Sequence, residues 1–450
     1  MKKQINKPDR ETFSSNFGLL MTMIGVAVGL GNIWRFPYMA GKFGGAAFVL
    51  FYLIVVIFIG IPALMAEWTL GRYTGIGTLG AFKKGGLPGG KFTGYFLFAI
   101  VFFAVAYYSN TLGWVLYYAI GELTAIFNIN IEPGSILPPN EGFNFQSRIL
   151  QVIMTSIIVF SCGFVLIKGL RKGIERISKI IIPALLFILI ILIIRSVTLE
   201  NAGEGLKWYI GRFRLGDLTG SVMAAGLGQA VFSMSLGGTF MIIYGSYLDK
   251  RSNIPKHALF TGIGDAAAGL LAGLAIFPAV FAFGFEPDSG PSLIFQTLPK
   301  TFESMPAGWL FGFLFFTGLL GAAFLSAVAA FEVLVGGLVD NRRITRKKAV
   351  FLVCSIVLVI SLIPMTNMKV FVPWDLIFGS GMQTLGAFLA VITTVWCIKR
   401  ADALKELSMG TGKPFPPILY WWMRIVIPLS ILFVGINWLL DSVFEISLFN

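Results

Sequence analysis

The chain is poor in the residues that carry most catalytic chemistry. It has one histidine, His257, at a loop end, and three cysteines, Cys162, Cys354 and Cys397, all in or beside long apolar runs. None is spaced as a disulfide framework or a metal site, so metal or nucleophilic catalysis has little to draw on. Charge is scarce as well. Asp, Glu, Lys and Arg make up 13% of the 450 residues, where a soluble domain carries about one quarter. No polar stretch is long enough for a second domain.

What remains is apolar: 56% of the residues are hydrophobic. Eleven runs are predicted to span a membrane, at about 17–39, 44–70, 92–125, 148–167, 175–197, 220–247, 256–284, 307–338, 348–364, 375–398 and 418–440. Most reach the ~20 apolar residues that a crossing helix needs. The first run is too long for a signal peptide core and lacks a clear cleavage site. The reading is an all-α polytopic membrane protein with a single transmembrane domain over 1–450, of which 1–16 form a cytoplasmic segment.

The net charge of +13 does not point to nucleic acid, because its distribution follows the loops. Lys and Arg gather before the first run and after the second, fourth, sixth, eighth and tenth. The opposite loops are sparser in Lys and Arg and carry Glu122, Glu132, Glu141, Glu200, Glu204, Glu286, Asp288 and Glu303. This positive-inside pattern puts the N-terminus in the cytoplasm and, after eleven crossings, the C-terminus outside, in a multi-pass protein of the cell (inner) membrane.

Two of the runs are broken by small residues. The first reads G-V-A-V-G-L-G-N over Gly25 to Asn32, and the second F-S-M-S-L-G-G-T over Phe232 to Thr239. Unwound backbone at membrane depth is tolerated only where it is buried in protein or lines a cavity. Such interruptions in corresponding positions of two halves point to a transporter's binding site. Spans within 17–197 and 220–398 are accordingly read as two five-span repeats of opposite orientation, with 418–440 as an eleventh span. The simpler alternative is that these glycines only let helices pack closely.

The run G-L-G-N-I-W-R-F-P-Y resembles the neurotransmitter:sodium symporter family. So do Glu67-Trp68-Thr69-Leu70-Gly71-Arg72-Tyr73, Tyr107-Tyr108, Gly228-Gln229 with F-S-M-S-L-G, A-G-L-L-A-G-L-A-I-F-P, and the spacing of Gly173 and Pro183. The resemblance covers essentially the whole chain, and eleven spans is the form many bacterial members take. It implies a sodium-coupled symporter that works by alternating access.

The resemblance also implies a site map. A substrate carboxylate would meet the backbone N–H groups of Leu30 and Gly31, the Tyr108 hydroxyl and a sodium ion. The ammonium would meet carbonyls of Ala27, Phe232 and Ser233. Freed N–H and C=O groups at broken helix ends suit such a zwitterion. Gly29 stands where monoamine-carrying members have aspartate, so the expected substrate is an amino acid. Its side chain would be lined by Val26, Ala104, Ser235, Gly238, Ser326 and Ala330. Small residues at 104, 238 and 330 imply generous volume and a large hydrophobic or aromatic substrate. Thr239 stands where members usually have glycine, which leaves the shape of the second break open.

By the same resemblance, the first sodium ion takes the Ala27 carbonyl, the Asn32 amide oxygen, Ser233, Asp265 and the substrate carboxylate, oxygen donors that suit a hard cation. In chloride-dependent relatives an anion is held by residues matching Tyr52, Gln229, Ser233, Asp265 and Gly269. Here Gly269 lacks the usual serine and Asp265 brings a fixed charge, so no chloride requirement is expected. The alternative is a buried Asp265 satisfied by helix ends. A second sodium ion would take carbonyls of Gly25, Val28 and Ala322 and side chains at Leu325 and Ser326. Leucine supplies no oxygen. This ion is therefore weakly held or absent, or the register in this span is shifted by a few residues, and one or two ions are expected. Arg35 and Asp375, with Phe232 between, match an outer gate, and Arg10 and Asp340 an inner one. Glu67 is expected to cap unwound backbone. A non-transporting amino acid sensor or accessory membrane protein of the same fold is the alternative function. An enzyme lacks a catalytic constellation here, and a channel lacks polar positions for a pore.

Overall fold

The computed structural model describes residues 11–127, 129, 131–287, 293–342, 344–446 and 448–449. All regular structure among them is helical, with no strand. Helices satisfy every backbone group within one segment, which long apolar runs in lipid require. Eight helices are long and apolar enough to cross a membrane: Ala46–Thr74, Gly90–Phe127, Phe145–Ile167, Leu170–Val197, Ile254–Ala282, Gly308–Asn341, Met368–Cys397 and Pro417–Ser442. Each falls on a predicted span. A ninth forms if Asn16–Ala27 and Gly31–Lys42 count as one span bent by 54°.

The other two expected spans, 220–247 and 348–364, have shorter helices. The first consists of Gly220–Ser233 and Phe240–Gly245 with residues 234–239 outside any helix. The second is the 16-residue helix Arg346–Ser361. Long apolar helices therefore number eight or nine among the described residues, against eleven predicted spans.

The broken segments sit at the centre of the molecule. Gly25 to Ile33 are buried without exception. Helix Gly308–Asn341 has 78% of its most apolar stretch buried, whereas Leu170–Val197 has 28% and Pro417–Ser442 has 22%. The last two keep Phe187, Ile194 and Leu429 well exposed. Large exposed apolar side chains suit a protein whose solvent is lipid.

The second break is the more contorted. Ser235, Gly237 and Thr239 have φ of 53°, 84° and 60°, so alternate residues are left-handed. For an L-residue this costs roughly 1–2 kcal/mol, and surrounding bonds must hold it. The Glu67 carboxylate accepts the Gly237 N–H at 2.7 Å, and the Thr78 hydroxyl bonds to the Thr239 hydroxyl at 2.9 Å. Gly237 must be glycine for a second reason: a Cβ there would lie 1.7 Å from the Gln383 carbonyl oxygen.

Candidate substrate and ion site

Between the two breaks lies a small cavity of about 50 Å³. Small-ligand sites are concave, mostly apolar and carry a few placed polar groups, and this one fits. Of the predicted substrate residues, Ala27, Gly29, Leu30, Gly31, Ala104, Tyr108, Phe232, Ser233, Ser235, Ser326 and Ala330 all line it. Val26 and Gly238 do not. Val26 contributes through its carbonyl, which accepts from the Ser235 hydroxyl at 2.9 Å. Gly238 is screened by the Phe240 ring, whose nearest atom is 2.2 Å from where a Cβ on Gly238 would sit. The generous volume expected at 238 is thus already filled.

Polar groups converge at one end. The Tyr108 hydroxyl sits against the Leu30 backbone and the Ser326 hydroxyl. A Cβ at Gly29 would lie 2.5 Å from the Ser326 oxygen and 3.0 Å from the Tyr108 oxygen, so a side chain there would displace the Ser326 hydroxyl. The cavity also includes Val105, Tyr107, Phe240 and Gln383, which sequence reasoning did not place in it. Tyr107 adjoins a residue already singled out. The other three carry no mark in the sequence.

The predicted first ion site is assembled around Asp265, which is fully buried. Its Oδ1 accepts from the Asn32 amide at 2.7 Å. Its Oδ2 accepts from the Ser233 hydroxyl at 2.9 Å and the Tyr52 hydroxyl at 3.2 Å. A buried charge demands such partners. The Asn32 amide oxygen accepts the Gly29 N–H at 3.1 Å, which ties this cluster to the first break. Gln229 turns elsewhere and donates to the Gly31 carbonyl at 2.8 Å. Gly269 faces the Phe36 ring, 3.3 Å from its would-be Cβ.

At the predicted second ion site the residues contact one another. Leu325 is buried, and its Cδ1 lies 2.7 Å from where a Cβ on Gly25 would sit. The Ser326 hydroxyl donates to the Val28 carbonyl at 3.1 Å. Ala322 is fully buried in the same helix.

The residues expected to form an outer gate have other partners. The Arg35 guanidinium lies 4.2 Å from the centre of the Phe232 ring. Asp375 bonds to the Tyr107 hydroxyl and only feels the charge of Arg35. Arg35 thus rests on Phe232 and Asp375 on Tyr107. Asp340, expected in an inner gate, accepts the Gly77 N–H at 2.9 Å. Arg10 lies outside the described residues. Next to it in sequence, the Glu11 carboxylate accepts the N–H groups of Leu170 and Arg171 at 2.9 and 3.0 Å.

Two glycine-broken helices wrapped around a buried, mostly apolar cavity, inside a polytopic bundle of apolar helices, define a membrane transporter. The chain belongs to the sodium:neurotransmitter symporter family, whose model matches residues 10–129 and 140–445. It is similar to the sodium-dependent transporter YhdH of Bacillus subtilis, with 34% identity over 443 residues, 94% of this chain and 97% of that one. A creatine transporter of Torpedo marmorata is 27% identical over 477 residues, 93% of this chain and 77% of the relative. The crystal structure of MhsT in complex with L-phenylalanine matches with a TM-score of 0.80 and 33% identity, covering 95% of this chain and 99% of MhsT. The chain is therefore a sodium-coupled transporter and not an enzyme.

Proposed function

We propose that this transporter imports an amino acid with a large hydrophobic or aromatic side chain, together with sodium, by alternating access and without chloride. The observation that carries the reading is the polar end of the cavity. The Leu30 backbone and the Tyr108 hydroxyl meet beside Gly29, which carries no side chain of its own. A substrate carboxylate suits that place, and nothing at 29 would take a second positive charge. Most of the rest of the wall is apolar or small, Gln383 apart, and the similar MhsT was crystallised with L-phenylalanine.

Sodium enters the proposal as cargo. Ala27, Asn32, Ser233 and Asp265 offer oxygens of the kind a hard cation takes. Ala27 and Ser233 also line the substrate cavity, so ion and substrate would share walls and each would help bind the other. The membrane potential adds ~2.3 kcal/mol per charge per 100 mV. Asp265 supplies the negative charge that would otherwise come from an anion, with Tyr52 and Ser233 as its donors. The Leu325 contact with Gly25 favours one coupled ion. Arg35, Asp375 and Phe232 would close the outer side, and Arg10 and Asp340 the inner.

The proposed arrangement is an inverted pair of five-span repeats, 17–197 and 220–398, followed by 418–440, in the cell membrane. The N-terminus is cytoplasmic and the C-terminus outside, on the Lys and Arg asymmetry of the loops. Tracer uptake into proteoliposomes tests the function. A sodium gradient should drive accumulation of hydrophobic amino acids, while potassium and choline gradients should not. Sodium-dependent binding without accumulation would favour a sensor, and strongest competition by glycine or alanine would refute the large substrate.

A further inference from the structure

Gly238 and Phe240 compete for one volume. Ring atoms Cε2, Cζ and Cδ2 of Phe240 lie 2.2, 2.5 and 2.8 Å from the point a Cβ on Gly238 would occupy. Residues two apart do not normally share a place, because neither helix nor strand folds a side chain back so tightly. The left-handed Thr239 between them, with φ of 60°, reverses the chain and brings the ring over Gly238. Phe240 is also the first residue of the helix Phe240–Gly245, so its backbone is already committed to that helix.

The ring is held by its backbone as well. Glu67 grips the Gly237 N–H, and Thr78 bonds to the Thr239 hydroxyl. The Gly237 carbonyl oxygen lies 2.0 Å from where a Cβ on Gly386 would sit, so that stretch is clamped against a neighbouring helix. Phe240 has few ways to swing while the break keeps its shape. It is 9% exposed and lines the cavity together with Ala104, Ser326 and Ala330.

We propose that Phe240 is the residue that sets the upper size limit of the transported side chain, its ring standing in the space left empty at Gly238. This rests on the reading of the cavity as an amino acid site. Ala104 and Ala330 leave room on their sides, whereas the Phe240 ring fills its own. Gly238 is required because a side chain there would push the ring into the cavity. A hydrophobic pocket discriminates by roughly 10–200-fold per methylene, and removing a whole ring should shift preference by at least about tenfold.

The experiment is sodium-driven uptake of labelled leucine, phenylalanine and tryptophan by the full chain in proteoliposomes. Wild type is compared with Phe240→Leu, Phe240→Ala, Gly238→Ala and the double variant Gly238→Ala/Phe240→Ala. In Phe240→Ala, the tryptophan-to-leucine uptake ratio rises at least about tenfold, with a smaller rise in Phe240→Leu. Gly238→Ala loses uptake of all three, and the double variant regains it. An unchanged ratio in both Phe240 variants with wild-type uptake intact would overturn this inference alone, as would a fully active Gly238→Ala. No sodium-driven uptake of any amino acid by wild type would overturn the proposed function, and this inference with it.

Discussion

Tyr52 donates its hydroxyl to the Asp265 carboxylate across 3.2 Å, deep in the protein, and shares that carboxylate with Ser233. All three are among the residues expected to match an anion site in chloride-dependent relatives. Two hydroxyls of that set are thus already engaged by the Asp265 carboxylate. Uptake is expected to be the same in chloride and in gluconate. Asp265→Asn should lower it about tenfold or more, since a hydrogen bond to a charged group is worth ~1.5–3 kcal/mol. Restoration of part of that loss by chloride would show that charge, not shape, had been removed. Initial rates in the two salts, for both proteins, check this.

Leu325 packs on Gly25 where oxygen ligands would be needed for a second ion. The dependence of uptake on sodium should therefore be hyperbolic, with a Hill coefficient of about one. Leu325→Ser restores an oxygen beside the Ser326 hydroxyl and the Val28 carbonyl. Its Hill coefficient should move toward about two if the site is only blocked. A sigmoidal wild-type curve would refute the reading of a single ion.

Glu67 holds the Gly237 N–H at 2.7 Å. Glu67→Ala leaves that donor unsatisfied in a dry interior and should destabilise by ~1–3 kcal/mol. Glu67→Gln keeps an accepting oxygen and should retain most stability and uptake. Thermal unfolding in detergent, read beside uptake, separates the two variants.

Thr239 occupies a left-handed position, and its hydroxyl bonds to Thr78. Thr239→Gly relieves roughly 1–2 kcal/mol of backbone strain but gives up a hydrogen bond worth ~0.5–1.5 kcal/mol, so stability should change little. Thr239→Val keeps the strain and strands the Thr78 hydroxyl. It should lower stability by ~1–3 kcal/mol. Melting curves of both variants check the sign.

The centre of this molecule was legible in the sequence because its features are local. Glycines at 25, 29 and 31, and at 237 and 238, mark broken helix, and the helices do stop there. Asp265 was legible through the family resemblance, and it has the partners a buried charge needs. Phe240 was not legible, because its placement follows from a left-handed turn at Thr239 that a threonine does not announce. The emptiness inferred from Gly238 was correct for that residue and wrong for the space around it. Arg346 was counted among loop charges, yet it pairs with the buried Glu332 at 2.5 Å; only the folded chain brings the two into contact. The span at 348–364 was read from apolarity, and its helix is 16 residues long. Hydropathy sets where a run lies better than where its helix ends.

Arg35 and Asp375 share one further property. Arg35 closes a π-helical turn, Gly31–Arg35, and Asp375 opens another, Asp375–Gly381. Such a turn holds one residue more than an ordinary one, and it recurs at functional places in helices. The surplus can be passed along a helix by exchanging one hydrogen bond at a time. Each exchange rotates the residues it passes by about 100°, the angular step of a helix with 3.6 residues per turn. The two charges therefore have a way to turn toward or away from each other while the ends of their helices stay put.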